Sequence, residues 1–576
     1  MGWLRLRLKP VYKGIENTPK GALRNLQFAF FNSQFSMPFF RPPAHNFWRQ
    51  YQYWLPPALV ALILTLVYLN PFIGDWDGLD YTIFSLHGRP SSMALGRSLF
   101  TLFNFVLYKG AHAIFGVRPE HAYLLFKLAV VIQTPLAVVA CWLLARDLSL
   151  SVRAATLAAS MISVSPILVI YGGQVMTEVP SVLFTAMALV VHLRGIKQSG
   201  MGVPPMNHAQ DARATKNGLW LILAGAALLG LGVNLRETVG LYSPWLVIAP
   251  FVVGFKFDRK TIAIVGSSLV IFLFAALGPF AIWFAASPVF RLDWYTWLSS
   301  MQSESERHPI SISNLKPFLI YFFMSAPLIT VVLPFAAWKE WRERRLTLSL
   351  TAAAIGMAAT VMLFFNYSTT INWRYFLTGL PAMAPLAGDF YARIQAKRFG
   401  SVRRGFVTAL IGIAFIGALM IVLVPPAGNE YFNRLAQAKT YDARLKLMPR
   451  DAVVIAGAQT VAVQYWRGIG LGEWDWIGVG AGWPAGQLES KIHEHLKAGR
   501  RVFLDADPRW WLPCEWHLTE VTELAQIEAH FHFKEVAPTV YEIRSLEDQS
   551  ATDQPHLENL LPENRPEEVK KCFNSG

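Results

Sequence analysis

Cysteine and charged residues are both scarce in this chain. Its 576 residues include three cysteines and 16% charged residues, whereas 53% are hydrophobic. Three cysteines cannot form a disulfide framework, and their positions show no Cys/His spacing typical of a zinc site. A soluble domain has about 25% charged residues. The shortage of charge therefore excludes an ordinary soluble enzyme.

Long apolar runs take the place of the missing charge. Runs near the roughly 20 residues that cross a bilayer begin at Trp54 and recur as far as Val424. This recurrence excludes a cleaved signal peptide followed by a globular domain. We predict a polytopic α-helical membrane protein with about eleven transmembrane helices. The predicted spans are 54–70, 122–145, 154–171, 179–193, 218–235, 239–255, 261–286, 317–338, 346–365, 376–391 and 405–424.

The charges of the chain predict its orientation. The formal net charge of +14 would suggest a nucleic-acid partner in a soluble protein. Here 26 of the 36 Lys and Arg residues before position 425 fall in the N-terminal arm and in alternate loops. Cytoplasmic loops are enriched in Lys and Arg, so these segments are predicted to be cytoplasmic. An odd number of crossings then places the acidic region after Val424 on the opposite, extracytoplasmic side.

The same reading divides the chain into four parts. Residues 1–53 form a basic cytoplasmic arm, and 54–424 form the transmembrane domain with a long first outer loop, 71–121. Within that loop, Ser98 to Phe115 is predicted to be a helix in the membrane interface. Alternating short apolar and amphipathic runs predict a C-terminal extracytoplasmic α/β domain over 425–545. The polar residues 546–576 are predicted to be a disordered tail.

Three carboxylates follow the first predicted span within six residues, at Asp75, Asp77 and Asp80. Neighbouring carboxylates can accept a proton from a hydroxyl or hold a divalent cation. The alternative is a solvated acidic turn that caps the following helix. The sequence alone leaves both interpretations open.

A second group of charged residues falls at the predicted outer boundary of the membrane. Glu178 lies where the chain re-enters the bilayer, where an acid needs a partner or caps the next helix. Basic residues are scarce on this face, and arginine is suited to holding a phosphate through its planar donors. For Arg236, a local pair with Glu237 or interfacial snorkelling is the alternative. The candidates for a phosphate site are Arg97, Arg236, Arg307 beside His308, and Arg374.

Four short motifs, in this order and on these sides of the membrane, resemble the GT-C superfamily of integral membrane glycosyltransferases. The resemblance is to the bacterial relatives of dolichyl-phosphate-mannose protein mannosyltransferases and aminoarabinose transferases. The motifs are Gly74-Asp75-Trp76-Asp77-Gly78, Met176-Thr177-Glu178-Val179-Pro180, Arg374-Tyr375-Phe376-Leu377 with Pro381, and the run from Leu447 to Ile455. The first motif departs from the Asp-Glu pair that relatives often have.

The resemblance implies transfer of a sugar from a polyprenyl-phosphate donor to a lipid, glycan or protein acceptor. The reaction would take place on the periplasmic side of a bacterial inner membrane, with membrane lipids as partners and no nucleic acid. Asp75 would be the general base or a ligand of an assisting Mg²⁺ or Mn²⁺, with Asp77 as second candidate. Arg374 and Arg236 would stabilise the lipid phosphate. The further candidates for this role are Arg307, His308 and Arg97. Glu178 would hold a donor hydroxyl or orient an arginine.

Two other classes of protein would also fit a polytopic chain. A transporter or flippase for a lipid-linked saccharide would have many spans and a few intramembrane charges. A membrane-anchored binding module would give Asp75 and Arg374 no chemical purpose. The predicted spans are nearly free of charge, and the acids and arginines gather at one edge. This distribution favours a transferase.

Overall fold

The fold is described by a computed structural model of the 576-residue chain. The described residues are 51–69, 76–91, 95–149, 151–199, 208–292, 294–295, 298, 312, 315–343, 347–366, 374–398, 402–423, 443–457, 460–479, 486–508, 511, 518–547 and 553–567. The part before residue 424 is helical, and the part after it contains a small sheet.

Every predicted span coincides with a helix or with two or three consecutive helical segments. The helices are α1 Tyr51–Val67, α2 Trp76–Leu86, α3 Ser98–Phe115, α4 Ala122–Ser149, α5 Val152–Ser163, α6 Pro166–Gly172, α7 Glu178–Gln198, α8 His208–Val233, α9 Pro244–Val253, α10 Arg259–Ala286, α11 Leu315–Ser325, α12 Pro327–Thr330, α13 Leu333–Arg342, α14 Leu348–Asn366, α15 Phe376–Arg398 and α16 Val402–Leu423. Short 3-10 helices cover Pro119–His121 and Glu237–Tyr242. The helix predicted for the first outer loop is α3.

Fewer than eleven of these segments meet the length and hydropathy expected of a membrane span. Among the described residues, three are long and apolar enough: Pro119–Ser149, Glu178–Gln198 and Arg259–Ala286. The number rises to five if α5 with α6 (bent by 62°) and α11 with Pro327–Arg342 (bent by 113°) each count as one. Five further helices are apolar but shorter. The predicted number of eleven is therefore not confirmed.

The sharply bent segment 315–342 passes from one end of α15 to the other. At one end, the rings of Phe318 and Phe322 lie 5.5 and 5.6 Å from the ring of Phe376, the first residue of α15. At the other end, Glu340 pairs with Arg393 at 2.8 Å. These two positions on α15 are about 25 Å apart at 1.5 Å per residue. The bend is thus a break within a traversing segment.

Neighbouring helices of the bundle approach closely where both carry small residues. A Cβ on Gly379 of α15 would lie 2.7 Å from the carbonyl oxygen of Gly356 on α14. A Cβ on Gly195 of α7 would lie 2.8 Å from the carbonyl oxygen of Gly218 on α8. Such contacts are typical of membrane helices, which associate by close packing because lipid gives them no hydrophobic driving force.

The C-terminal part contains the predicted combination of helices and strands. Its strands are β1 Val453–Ala456, β2 Asp475–Gly478, β3 Val502–Asp505, β4 His532–Ala537 and β5 Val540–Arg544, and its helices are α17 Thr460–Gly468, α18 Gln487–Lys497 and α19 Leu518–Gln526. The strand order is β2-β1-β3-β5-β4, with β1 parallel to β2 and β3, and β5 antiparallel to β3 and β4. Residues of β1 and β3 are fully buried because helices cover the sheet.

The segment 553–567 differs from the disordered tail predicted for 546–576. Leu557 and Leu560 are buried, and the backbone N–H of Asp553 donates to the carbonyl oxygen of Phe533 in β4. The buried guanidinium of Arg565 donates to the carbonyl oxygens of Trp511 and Pro508. The leucines bury enough apolar surface to hold this short polar segment on the domain. The prediction was therefore wrong for 553–567.

Candidate active site

Helix α2 lies in the segment predicted to be the first outer loop and carries Asp77 in its first turn. A carboxylate is favoured there by the positive end of the helix dipole. Asp77 Oδ2 accepts a hydrogen bond of 2.9 Å from Nη1 of Arg374, which lies just before α15. The two side chains are 20% and 17% exposed. The ion pair therefore joins two segments that are 297 residues apart in the sequence.

Glu178, the first residue of α7, contacts two arginines. Its Oε1 pairs with Nη1 of Arg236 and lies 3.5 Å from Nε of Arg374. The side chains of Glu178 and Arg236 are 2% and 1% exposed. A charge removed from water to this extent is costly unless it is paired. Glu178 thus compensates the charge of both guanidinium groups at once.

An aromatic ring and a hydroxyl complete the surroundings of these two arginines. The guanidinium carbon of Arg236 lies 5.0 Å from the ring centre of Tyr375, and that of Arg374 lies 5.7 Å from it. The electron-rich face of an aromatic ring attracts such cations. Nη1 of Arg236 also donates to the hydroxyl of Thr177 at 3.2 Å. Tyr375 and Glu178 together offset the repulsion between the two arginines.

Arg97 forms a second ion pair beside the first group. It has φ 40° and ψ 36°, a left-handed conformation that is uncommon for a residue with a side chain. Its guanidinium lies 5.4 Å from the ring centre of Tyr81, and its Nη2 lies 3.3 Å from Oε1 of Glu237. The side chain of Arg97 is 8% exposed. Backbone strain of this kind costs about 1–3 kcal/mol and tends to occur at functional sites.

The arginines determine the ionisation of Asp77. Burial disfavours its charged form, but the charge of Arg374, followed by those of Arg97 and Arg236, outweighs burial and lowers the pKa of Asp77 below 3.8. Asp77 is therefore a carboxylate at neutral pH. A group whose pKa is lowered in this way is a poor proton acceptor and a strong anchor for a cation.

The structure brings together five of the eight residues that the sequence nominated for the site. Asp77, Glu178, Arg97, Arg236 and Arg374 converge from four separate segments and are called the ion-pair cluster below, together with Glu237. The other three, Asp75, Arg307 and His308, lie outside the described residues. Their nomination stays a prediction.

The pairing inside the cluster differs from the alternatives that the sequence left open. Arg236 pairs with Glu178, and its sequence neighbour Glu237 pairs with Arg97. Thr177 stands at the N-cap position of α7, but its side chain makes no capping hydrogen bond. Tyr375 was not nominated as a site residue from the sequence, although it directly follows Arg374. In the structure its ring lies close to the guanidinium groups of both Arg236 and Arg374.

Several buried donors of the cluster have hydrogen-bonding capacity that the pairs described above do not use. Nε and Nη2 of Arg236 and Nε of Arg97 are buried and have no hydrogen-bond partner among the described residues. A buried donor without a partner costs about 1–3 kcal/mol. Because a guanidinium carries five donors in a fixed plane, its remaining N–H groups can hold a phosphate while one edge stays paired.

The described residues do not fit a metal site. Within the described ranges, no group of three or more His, Cys, Asp or Glu side chains could hold a metal ion. Asp77, one of the two predicted ligands, is already engaged by Arg374. The other predicted ligand, Asp75, lies outside these ranges.

One family model matches part of the chain, and solved structures resemble its fold. Residues 107–287 match the family model described as dolichyl-phosphate-mannose-protein mannosyltransferase. The structure of ArnT from Cupriavidus metallidurans bound to undecaprenyl phosphate is similar, with a TM-score of 0.50 and 15% identity over 88% of this chain and 100% of that chain. The apo oligosaccharyltransferase of Archaeoglobus fulgidus has a TM-score of 0.49 and 12% identity over 88% and 75% of the two chains.

A search of curated proteins by sequence found no match. At 15% identity, the likeness to ArnT shows the fold, and the family match adds a segment that runs from α3 to the end of α10. That segment includes Glu178, Arg236 and Glu237 of the ion-pair cluster. The family match and the shared fold confirm the resemblance of this chain to the GT-C membrane glycosyltransferases.

Proposed function

We propose that the chain transfers a sugar from a polyprenyl-phosphate donor to an acceptor hydroxyl, with the donor phosphate held by the ion-pair cluster. The observation that carries the proposal is Arg236. It is 1% exposed, and its Nε and Nη2 lack hydrogen-bond partners among the described residues. The family match and the lipid phosphate named in the ArnT structure support the same donor class.

Charge stabilisation is the main contribution of the cluster to the reaction. When the bond between the anomeric carbon and the donor phosphate breaks, the bonding electrons stay on the phosphate oxygen. Arg236 and Arg374 are already fixed by Glu178 and Tyr375, so they need not reorganise as this charge develops. Preorganised donors of this kind are worth about 10²–10³ in rate each.

The acceptor proton needs a base outside the ion pairs. Asp77 is bound to Arg374 and has a lowered pKa, which suits it to hold that arginine. We therefore assign the base to Asp75, two residues before Asp77, and keep Asp77 as its second candidate. The Mg²⁺ or Mn²⁺ predicted from the sequence would depend on Asp75, and no step here requires it.

The proposal also includes the membrane topology, because the topology determines on which side of the membrane the site lies. We propose about eleven crossings of a bacterial inner membrane, with a cytoplasmic N terminus and a periplasmic C-terminal domain. The ion pairs support a topology in which alternate loops lie on opposite sides of the membrane. Asp147 pairs with Arg194 at 2.6 Å, and both residues belong to segments predicted to be cytoplasmic. Both residues lie at the ends of α4 and α7 away from the ion-pair cluster.

The test is sugar transfer by the purified full chain in lipid vesicles. Substrates would be a panel of polyprenyl-phosphate sugars with one labelled sugar each, and product would be measured on lipid, glycan and peptide acceptors. Arg236→Ala should lower kcat/KM by about 10²–10³-fold. Movement of labelled lipid across the vesicle without transfer would instead identify a flippase.

Arg194→Ala is the matched control. It also breaks an arginine–carboxylate pair, but at the other end of the bundle. We expect it to keep transfer within a few-fold of the wild-type protein. Equal losses in the two variants would contradict a specific role for Arg236.

A further inference from the structure

We infer that Tyr465 of the C-terminal domain is a positioning residue for sugar transfer, acting on Asp77 through Tyr123 and Gly78. The inference rests on the proposed function, because it concerns the geometry of the ion-pair cluster. According to this inference, the C-terminal domain takes part in the reaction because it holds in place the helix that carries Asp77.

The C-terminal domain and the helical part of the chain are in direct contact. Helix α17 of the C-terminal domain packs on α2 of the first outer loop. Tyr465 of α17 is fully buried, and its ring meets that of Tyr123 edge to face, with centres 6.4 Å apart. A Cβ on Gly468 would lie 3.6 Å from the side chain of Ile83 on α2. The domain therefore rests directly on the helix of Asp77.

Tyr123 in turn contacts the first turn of α2 at Gly78, next to Asp77. Tyr123 is 1% exposed at the start of α4. A Cβ on Gly78 would lie 3.3 Å from the Tyr123 hydroxyl oxygen and 3.1 Å from the carbonyl oxygen of Val175. Gly78 thus fits between Tyr123 and the turn that leads to Glu178, with no spare room on either side.

The position of Gly78 affects the ion pair between Asp77 and Arg374. Gly78 directly follows Asp77, so a shift of α2 at this point moves the carboxylate away from Arg374. The hydrogen bond between them is 2.9 Å, and a displacement of about 1 Å at a reacting centre can cost 10²-fold in rate. Tyr465 packs against the ring of Tyr123, so it limits the movement of Tyr123 and, through it, that displacement.

The test compares three substitutions in the full chain. Tyr465→Ala removes the ring and should lower kcat by roughly ten-fold or more, with a smaller change in the KM for donor. Tyr465→Phe keeps the ring and should retain most of the activity. Val463→Ala also truncates a fully buried side chain of α17, but about 200° around the helix, and should leave kcat close to the wild-type value.

Equal losses of kcat in Tyr465→Ala and Val463→Ala would show a general loss of stability and would overturn the inference. Full activity of Tyr465→Ala would overturn it as well. A cysteine pair, Ile83→Cys with Gly468→Cys, in a background without Cys514 and Cys572, gives a readout that does not depend on transfer. The pair should form a disulfide, and closing it should restore kcat to Tyr465→Ala.

The two readouts separate this inference from the proposed function. A wild-type protein that transfers no sugar would refute the proposed function while the disulfide still reported the contact. An active wild-type protein whose cysteine pair does not close under oxidation would refute the docking of α17 on α2.

Discussion

At the scale of single residues, the site consists of charges that compensate one another. Asp77, Glu178 and Glu237 face Arg374, Arg236 and Arg97, so the described part of the cluster is close to neutral. An incoming phosphate therefore competes with carboxylates for the arginines, and its affinity depends on which pairs can open. The partly exposed pair of Asp77 and Arg374 opens at a lower desolvation cost than the buried pair of Glu178 and Arg236.

Asp77→Asn tests the role of Asp77 as an anchor. The amide keeps the size of the side chain but loses its charge, so Arg374 should lose its alignment and kcat/KM should fall by about 10²-fold. Because the arginines lower its pKa, Asp77 stays ionised from neutral pH down to pH 5. Any acid limb of the pH–rate profile between pH 5 and 7 should therefore persist in Asp77→Asn. Disappearance of that limb would instead identify Asp77 as the titrating base.

The types of residues in the site were predictable, but their partners were not. Clustering of three carboxylates nominated Asp77, and a position at the predicted membrane boundary nominated Glu178. The scarcity of basic residues on the predicted outer face nominated Arg236 and Arg374. The sequence could not show that Arg374 reaches Asp77, because the two residues are 297 positions apart and only the folded chain brings them together. For Arg236 it offered a local pair with Glu237 as an alternative, since local pairs are the only ones visible in a sequence, whereas the structure pairs Arg236 with Glu178.

At the scale of elements, hydrophobic runs predicted where the helices lie but not their bends. All eleven runs are helical, yet 154–171 and 317–338 are each broken. Proline explains the breaks in part: α6 and α12 begin at Pro166 and Pro327, which cannot donate to the preceding turn. The direction of each bend depends on how the neighbouring helices pack, and the hydrophobic pattern of one segment carries no information about that packing.

Gly78→Ala tests whether the fit of α2 controls the site. The added Cβ would lie 3.1 Å from the Val175 carbonyl oxygen and 3.3 Å from the Tyr123 hydroxyl, so α2 or these neighbours must give way by a few tenths of an ångström. We expect at least a ten-fold loss of kcat with the protein still folded. Gly110→Ala in α3 is the control, because nothing lies within 4 Å of its Cβ position. That change should add about 1 kcal/mol of stability and leave kcat unchanged. Equal activities of the two variants would contradict the role of Gly78.

At the scale of the whole molecule, the net charge of +14 combines two regions of opposite sign. The part before residue 425 has 36 basic and 16 acidic residues, whereas the part after it has 16 and 22. Basic residues concentrate in alternate loops, and Asp147 pairs with Arg194 at the ends of two helices that lead into such loops. The ion-pair cluster joins loops of the other set. Charge distribution and three-dimensional pairing therefore divide the loops in the same way.

Reporter fusions test the absolute orientation, which pairing alone cannot give. Alkaline phosphatase, which is active only outside the cytoplasm, should be active when fused after Val424 and inactive when fused between α15 and α16. The expectation follows from the positive-inside rule, since the segment between these helices is flanked by Arg393, Arg403 and Arg404. Activity at the second site with none at the first would place the ion-pair cluster on the cytoplasmic face. A donor that faces the cytoplasm would then be required, and the assignment of a periplasmic acceptor would be lost.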